Sequence, residues 1–197
     1  MKKIVVVVIA IISFIGVACT QNRTYLTDLD KAWNPYKQGQ VLIFGSSAGE
    51  VDTIEIQRIE DNRFPDGLGA PKNERLRILA RLGKQSKSNV KQEVRLLYIS
   101  ARTATEPSRI DFEFSIGGSD FWGKYFNIHE LEEYKKEYLE LPNMTFNDVI
   151  RIDDNSNQRL RPYDIATIYW SKSSGYVKCE EKDGTVWELM NIVDSPK

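Results

Sequence analysis

The chain has 197 residues and a formal charge of −1, with 27 basic side chains against 28 acidic ones and a single histidine. That balance excludes the concentrated positive field a nucleic-acid backbone binder needs, and two cysteines are too few for a disulfide scaffold.

The first segment is the most informative. Met1, Lys2 and Lys3 form a positive leader, Ile4 to Val17 an apolar core, and Gly16, Val17 and Ala18 supply compact residues before Cys19. As a helix, Ile4 to Ala18 reaches about 23 Å, short of a hydrocarbon layer of about 30 Å. The pattern predicts export, removal of residues 1–18 as a signal peptide and acylation of Cys19, with ordinary secretion or an uncleaved anchor as alternatives. Gly16 stands where a bacterial lipobox carries Leu. Lys2 and Lys3 leave with the leader, taking the side-chain charge to about −3. An acylated Cys19 leaves Cys179 without an intramolecular partner; an unacylated one permits a Cys19–Cys179 bridge.

Residues 19–24 then read as the lipidated cysteine and a polar tether, and residues 25–197 as one globular β-rich domain. Tyr25, Leu26, Leu29 and Trp33 have helical spacing, ended by Asn34-Pro35. Gln40 to Phe44 reads as a strand running into a turn at Gly45 to Gly49, and Thr53 to Arg58 alternate as the next strand. Pro65, Gly67, Gly69 and Pro71 predict a loop over Asp61 to Asn73. Arg75 to Leu82 fits either period, and Arg75, Arg77 and Arg81 on one side favour a strand over a helix. Gly83 to Asn89 reads as a polar connector, and Val94 to Ile99 as another strand.

Arg109 to Ile116 is the clearest element, with Ile110, Phe112, Phe114 and Ile116 alternating against Arg109, Asp111, Glu113 and Ser115. Thr103 to Ser108 joins it to the preceding strand, and Gly117 to Asp120 end it. Trp122, Tyr125 and Phe126, with Phe121, form an aromatic cluster that is core packing or a surface for a ligand or partner. His129 to Leu139 is the one strongly charged helical candidate, placing Leu131, Tyr134 and Tyr138 on one face before Pro142. Phe146, Ile150 and Ile152 mark a strand that Asp148 interrupts, predicting a bulge or register shift. Ile165 to Trp170, Tyr176 to Glu180 and Thr185 to Asn191 close the chain as strands, with Cys179 an inert core thiol facing Trp187. About nine strands and two short helical pieces predict a mainly β to α+β antiparallel fold, a strongly curved sheet or a sandwich.

Motifs for catalysis are weak. Gly45 to Gly49 match Gly-x-Ser-x-Gly around Ser47, but a nucleophile elbow must enter a helix, whereas alternating strand residues follow here. His129 has no second histidine to share a zinc ion with. Asp153, Asn155, Asn157 and Asp164 echo a calcium loop, yet Gln158 replaces the turn glycine, and Arg159 and Arg161 repel a cation. No metal, cofactor or catalytic residue is assigned on this basis.

Trp33-Asn34-Pro35-Tyr36, Leu141 to Val149, Tyr169-Trp170-Ser171-Lys172, Gly175 to Lys178 and Asp183 to Leu189, together with the leader, resemble uncharacterised lipoproteins of Bacteroidetes. The resemblance spans the leader and about a third of the mature domain, and implies a lipid-anchored envelope protein whose closing strands carry these motifs. Thr20 to Arg23 lack the acidic residues of surface-displayed relatives, which points to the periplasmic face of the outer membrane. The expected role is a non-enzymatic module binding lipid, glycan or protein; the alternatives are an assembly partner of an outer-membrane protein complex and, behind it, a hydrolase.

Overall fold

Alternating apolar residues create faces that must be covered, and the chain covers them with one sheet. A computed structural model describes residues 24–65, 72–84, 93–103, 105–154 and 164–194; Cys19 and residues 20–23 of its tether, residues 66–71 of the expected loop, Asn155 to Arg161, and the greater part of the connector after Gly83 lie outside these. The elements are α1 (Asp28–Lys31), β1 (Val41–Ser46), β2 (Val51–Pro65), β3 (Lys72–Leu82), β4 (Glu93–Ser100), β5 (Arg109–Ile116), β6 (Ser119–Asn127), α2 (Ile128–Glu132), β7 (Glu137–Leu141), β8 (Met144–Asp153), β9 (Ile165–Ser171), β10 (Gly175–Glu181) and β11 (Val186–Val193).

Among the described residues, eleven strands form one sheet in the order β6-β5-β4-β3-β2-β1-β11-β10-β9-β8-β7, every pair antiparallel. It is two meanders, β1 to β6 and β7 to β11, joined where β1 pairs β11. The mainly β character with two short helices holds. The expected strongly curved sheet or two-sheet sandwich does not, because one open ladder runs unbroken from β6 to β7 and those end strands do not pair with each other. α2 lies in the connection between these end strands, and the β5–β6 register shifts beside Gly123, whose φ is +70°.

The two meanders share one apolar side. Tyr176 on β10 stacks on Phe114 of β5 with ring centres 4.2 Å apart, and Trp170 on β9 lies edge-on to Phe112 at 5.0 Å. The Tyr176 hydroxyl donates to the carbonyls of Leu96 and Glu113, at 2.9 and 3.1 Å, and its N–H donates to the Tyr36 hydroxyl at 3.0 Å. Each such ring contributes about 1.5–3 kcal/mol by leaving water, and each well-set aromatic pair a further 0.5–1.5 kcal/mol or so. Cys179 is fully buried opposite Trp187, and burial pushes its thiol pKa well up, so it sits there as a small hydrophobe.

Three local expectations are corrected. The expected loop over Asp61 to Asn73 does not include its flanks, since Asp61 to Pro65 pair with Leu76 to Lys72 in the β2–β3 ladder. The helix over His129 to Leu139 stops at Glu132; Tyr138 is exposed while Leu139 pairs with Phe146, because Pro142-Asn143 makes a tight turn that returns β7 onto β8. Gly117 and Gly118, with φ of +59° and +87°, end β5 as expected, whereas Ser119 and Asp120, read as part of that ending, already belong to β6. The bulge at Asp148 is present: the β7–β8 register shifts between Leu139–Phe146 and Glu137–Val149. Burial opposes ionisation of Asp148, but hydrogen bonds from the Ser171 hydroxyl and the Ser173 N–H outweigh it and hold its carboxyl below the ordinary range.

Candidate functional site

Polar residues on the side of β3 to β6 away from the core form cross-strand rows. In one row Arg77 pairs with Tyr98, Tyr98 with Asp111, and Asp111 with Tyr125; in the next, Arg75 pairs with Ser100, Ser100 with Arg109, and Arg109 with Asn127. Tyr98 and Tyr125 therefore flank Asp111, their strands about 10 Å apart at the usual sheet spacing. The β4–β5 connection raises a wall beside them, where Thr103 Oγ1 accepts from the N–H groups of Thr105 and Glu106, at 3.3 and 3.0 Å.

Together these residues enclose a pocket of about 220 Å³ that includes Asn73, Arg75, Tyr98, Asp111, Arg109 and Tyr125. Arg109 is held by Glu106 at 2.9 Å and lies over the Tyr125 ring at 5.3 Å. Arg95, on the neighbouring row, lies over Tyr98 at 4.9 Å, 4.0 Å from Asp111, and hydrogen-bonds Glu113 through Nε at 3.1 Å. Burial raises the pKa of Asp111; Arg95 and Arg109 pull it down, Glu113 pushes it up, and the upward effect prevails. Two guanidinium groups and two carboxylates line the pocket, so its formal charge is zero.

Of the aromatic residues expected to form a surface, the structure separates two. Tyr125 is 67 % exposed and lines the pocket, whereas Phe126 is buried against Phe112 at 6.0 Å and Tyr134 at 5.6 Å. The backbone of Trp122 lies in β6, and its side chain is outside the described set. Arg75, Tyr98, Arg109 and Asp111 are not assigned to a common site by the sequence. The signal available was their shared outward parity, which gains meaning only with the strand register.

Ser47 lies in the β1–β2 turn, exchanges hydrogen bonds with Val186 at 2.8 and 3.1 Å, and is followed by a strand. His129 is exposed in the five-residue α2. Asp153 accepts from Arg151 at 3.0 Å and Thr167 at 2.8 Å. Among the described residues no group of three His, Cys, Asp or Glu is arranged to hold a metal ion, and no helix is long and apolar enough to cross a membrane.

Comparison with known proteins finds no matching family model, no matching curated protein and no matching solved structure.

Proposed function

We propose that the chain is an exported, Cys19-anchored envelope module that binds a small polar glycan unit, without covalent chemistry, in the pocket flanked by Tyr98 and Tyr125. The observation that carries this reading is the row Tyr98–Asp111–Tyr125, bordered by Arg75, Asn73 and Arg109. Sugar rings have apolar C–H faces that lie on aromatic rings and hydroxyls that both donate and accept, matching carboxylate, guanidinium and amide groups set around tyrosines. A pocket without net charge suits a neutral polar ligand over a strong anion, and its polar lining does not suit an acyl chain. At about 220 Å³ it lies below the range for drug-sized ligands, on the scale of a single ring unit. The leader, Cys19 and the unacidic Thr20 to Arg23 support placement on the periplasmic face of the outer membrane.

Calorimetric titration of the full acylated protein in detergent with bacterial envelope mono- and oligosaccharides tests the binding. Saturable binding that weakens at least tenfold, about 1.4 kcal/mol, in Tyr98→Ala is expected. Equal affinity in the parent protein and Tyr98→Ala, or no binding of any saccharide, contradicts the reading.

A further inference from the structure

From Thr24 onward the chain is pinned to the start of β3. The Thr24 hydroxyl donates to Asn73 Oδ1 at 2.5 Å, its carbonyl accepts from the Glu74 N–H at 3.1 Å, and the Leu26 N–H donates to the Glu74 carboxylate at 2.8 Å. Asn73 also borders the pocket. Only residues 20–23 separate Thr24 from Cys19, a reach of about 17 Å at full extension. An anchor at Cys19 therefore holds this end of the domain close to the lipid surface.

The same end exposes apolar side chains. Leu29 is 72 % exposed and Tyr25 46 %, whereas Leu26 and Trp33 of the same segment are buried. Leu29 is fixed in place by the capping box of α1, in which the Thr27 side chain accepts from the Asp30 N–H and the Asp30 side chain accepts from the Thr27 N–H. Lys31 is drawn back to Glu74 and Asp61, at 2.8 and 3.0 Å, which keeps its charge off the apolar edge.

We propose that the α1 end of the domain is a bilayer-docking surface, with Leu29 and Tyr25 entering the lipid interface beside the acylated Cys19. This rests on the export and acylation reading and adds an orientation to it. Interfacial residues of this kind combine an apolar body with, in tyrosine, a polar tip that stays wet. They add little to the hold of several acyl chains; what they supply is a fixed attitude. The pocket rim at Asn73 then lies beside the membrane, so glycans carried on lipids of the anchoring leaflet are the nearest ligands. The opposite end of β3, about 30 Å away along the strand, meets β2 where the Gly83 N–H donates to the Thr53 carbonyl at 2.7 Å, and the β1–β2 turn with exposed Ala48 lies at that far end.

The test uses the full acylated protein in vesicles of phosphatidylethanolamine and phosphatidylglycerol. Cys179 is fully buried, so Leu29→Cys and Ala48→Cys each accept a polarity-sensitive fluorophore at one place. Blue-shifted emission, quenched by spin-labelled lipid, is expected for Leu29→Cys, with water-like emission for Ala48→Cys. Water-like emission from both labels, on protein that floats with the vesicles, overturns the docking surface while leaving the anchor in place. Equal quenching of both also overturns it. Protein that does not float and whose mass shows an unmodified Cys19 removes the anchor and the docking together, whatever the saccharide titration shows.

Discussion

The Asp52 carboxylate accepts a hydrogen bond from the backbone N–H of Gly117 at 2.8 Å, although 65 residues separate them. The other Asp52 oxygen accepts from the N–H groups of Thr53 and Lys84, at 2.8 and 2.9 Å. One buried carboxylate thus gathers the start of β2, the end of β3 and the β5–β6 turn. At that turn Gly117 leaves no room for a side chain, because a Cβ would overlap the Trp187 indole, and its φ of +59° is one that L side chains adopt with strain.

Gly117→Ala is expected to cost about 2–4 kcal/mol, combining overpacking with a left-handed backbone. Gly184, at φ +93°, has open space where its Cβ would lie, so Gly184→Ala carries the backbone cost alone, about 1–2 kcal/mol. Urea unfolding of the two variants measures the difference. Equal losses would mean that the indole does not pack on Gly117.

Tyr176→Phe keeps the ring and removes a buried donor, leaving the Leu96 and Glu113 carbonyls without that hydroxyl. A loss of about 1–3 kcal/mol is expected. An unchanged unfolding midpoint would show that the hydroxyl adds nothing to the contact the Tyr176 ring makes between the two meanders.

Four carboxylates make the fold sensitive to acid, one of them Glu180, which burial opposes but Lys178 and the Tyr169 hydroxyl hold below its ordinary pKa. Glu74 is opposed by burial but held below its ordinary pKa by Lys31 and the Leu26 N–H; Glu132 is held down by Lys172 first and, against some burial, by the Trp33 indole; Asp148 is held down as described above. A folded pKa below the unfolded one gives stability that is fully present above the unfolded value and is lost as pH falls through the folded value. Stability should therefore be flat above about pH 5 and fall progressively below the ordinary carboxylate values of 4.5 and 3.8. Glu74→Gln should be less stable at pH 7 and show a shallower acid limb. A parallel limb in the variant would remove Glu74 from this account.

Asp111 has the opposite sign. Its carboxyl is raised above 3.8, chiefly by burial, so the folded state disfavours its charge once pH exceeds the unfolded value. Asp111→Asn is expected to leave stability at pH 7 unchanged or higher while weakening saccharide binding. A variant that is less stable and binds as before would make Asp111 a structural residue.

Much of this fold could be read in the sequence wherever one face alternates cleanly. Ile110 to Ile116 and Tyr176 to Glu180 announce their strands because period-two burial is encoded residue by residue. β6 is hidden: Phe121, Trp122, Tyr125 and Phe126 have no strict alternation because the register shifts beside Gly123, and although Gly117-Gly118 mark the end of β5, nothing local says that they make a hairpin. Asp61 to Pro65 look like loop residues, and it is pairing with β3 that extends them. The pocket was the least legible feature, since Arg75, Tyr98, Asp111 and Tyr125 come from four strands and their alignment is a property of register. The single open ladder was not legible for a related reason, in that local alternation carries no information on whether end strands pair.

The most direct test is native mass spectrometry of the protein extracted from its own membrane in mild detergent. The account predicts a chain beginning at an acylated Cys19 that carries a saccharide-containing adduct, with the adduct lost in Tyr98→Ala. A chain retaining Met1 and carrying no adduct, or an adduct that persists unchanged in Tyr98→Ala, would contradict it.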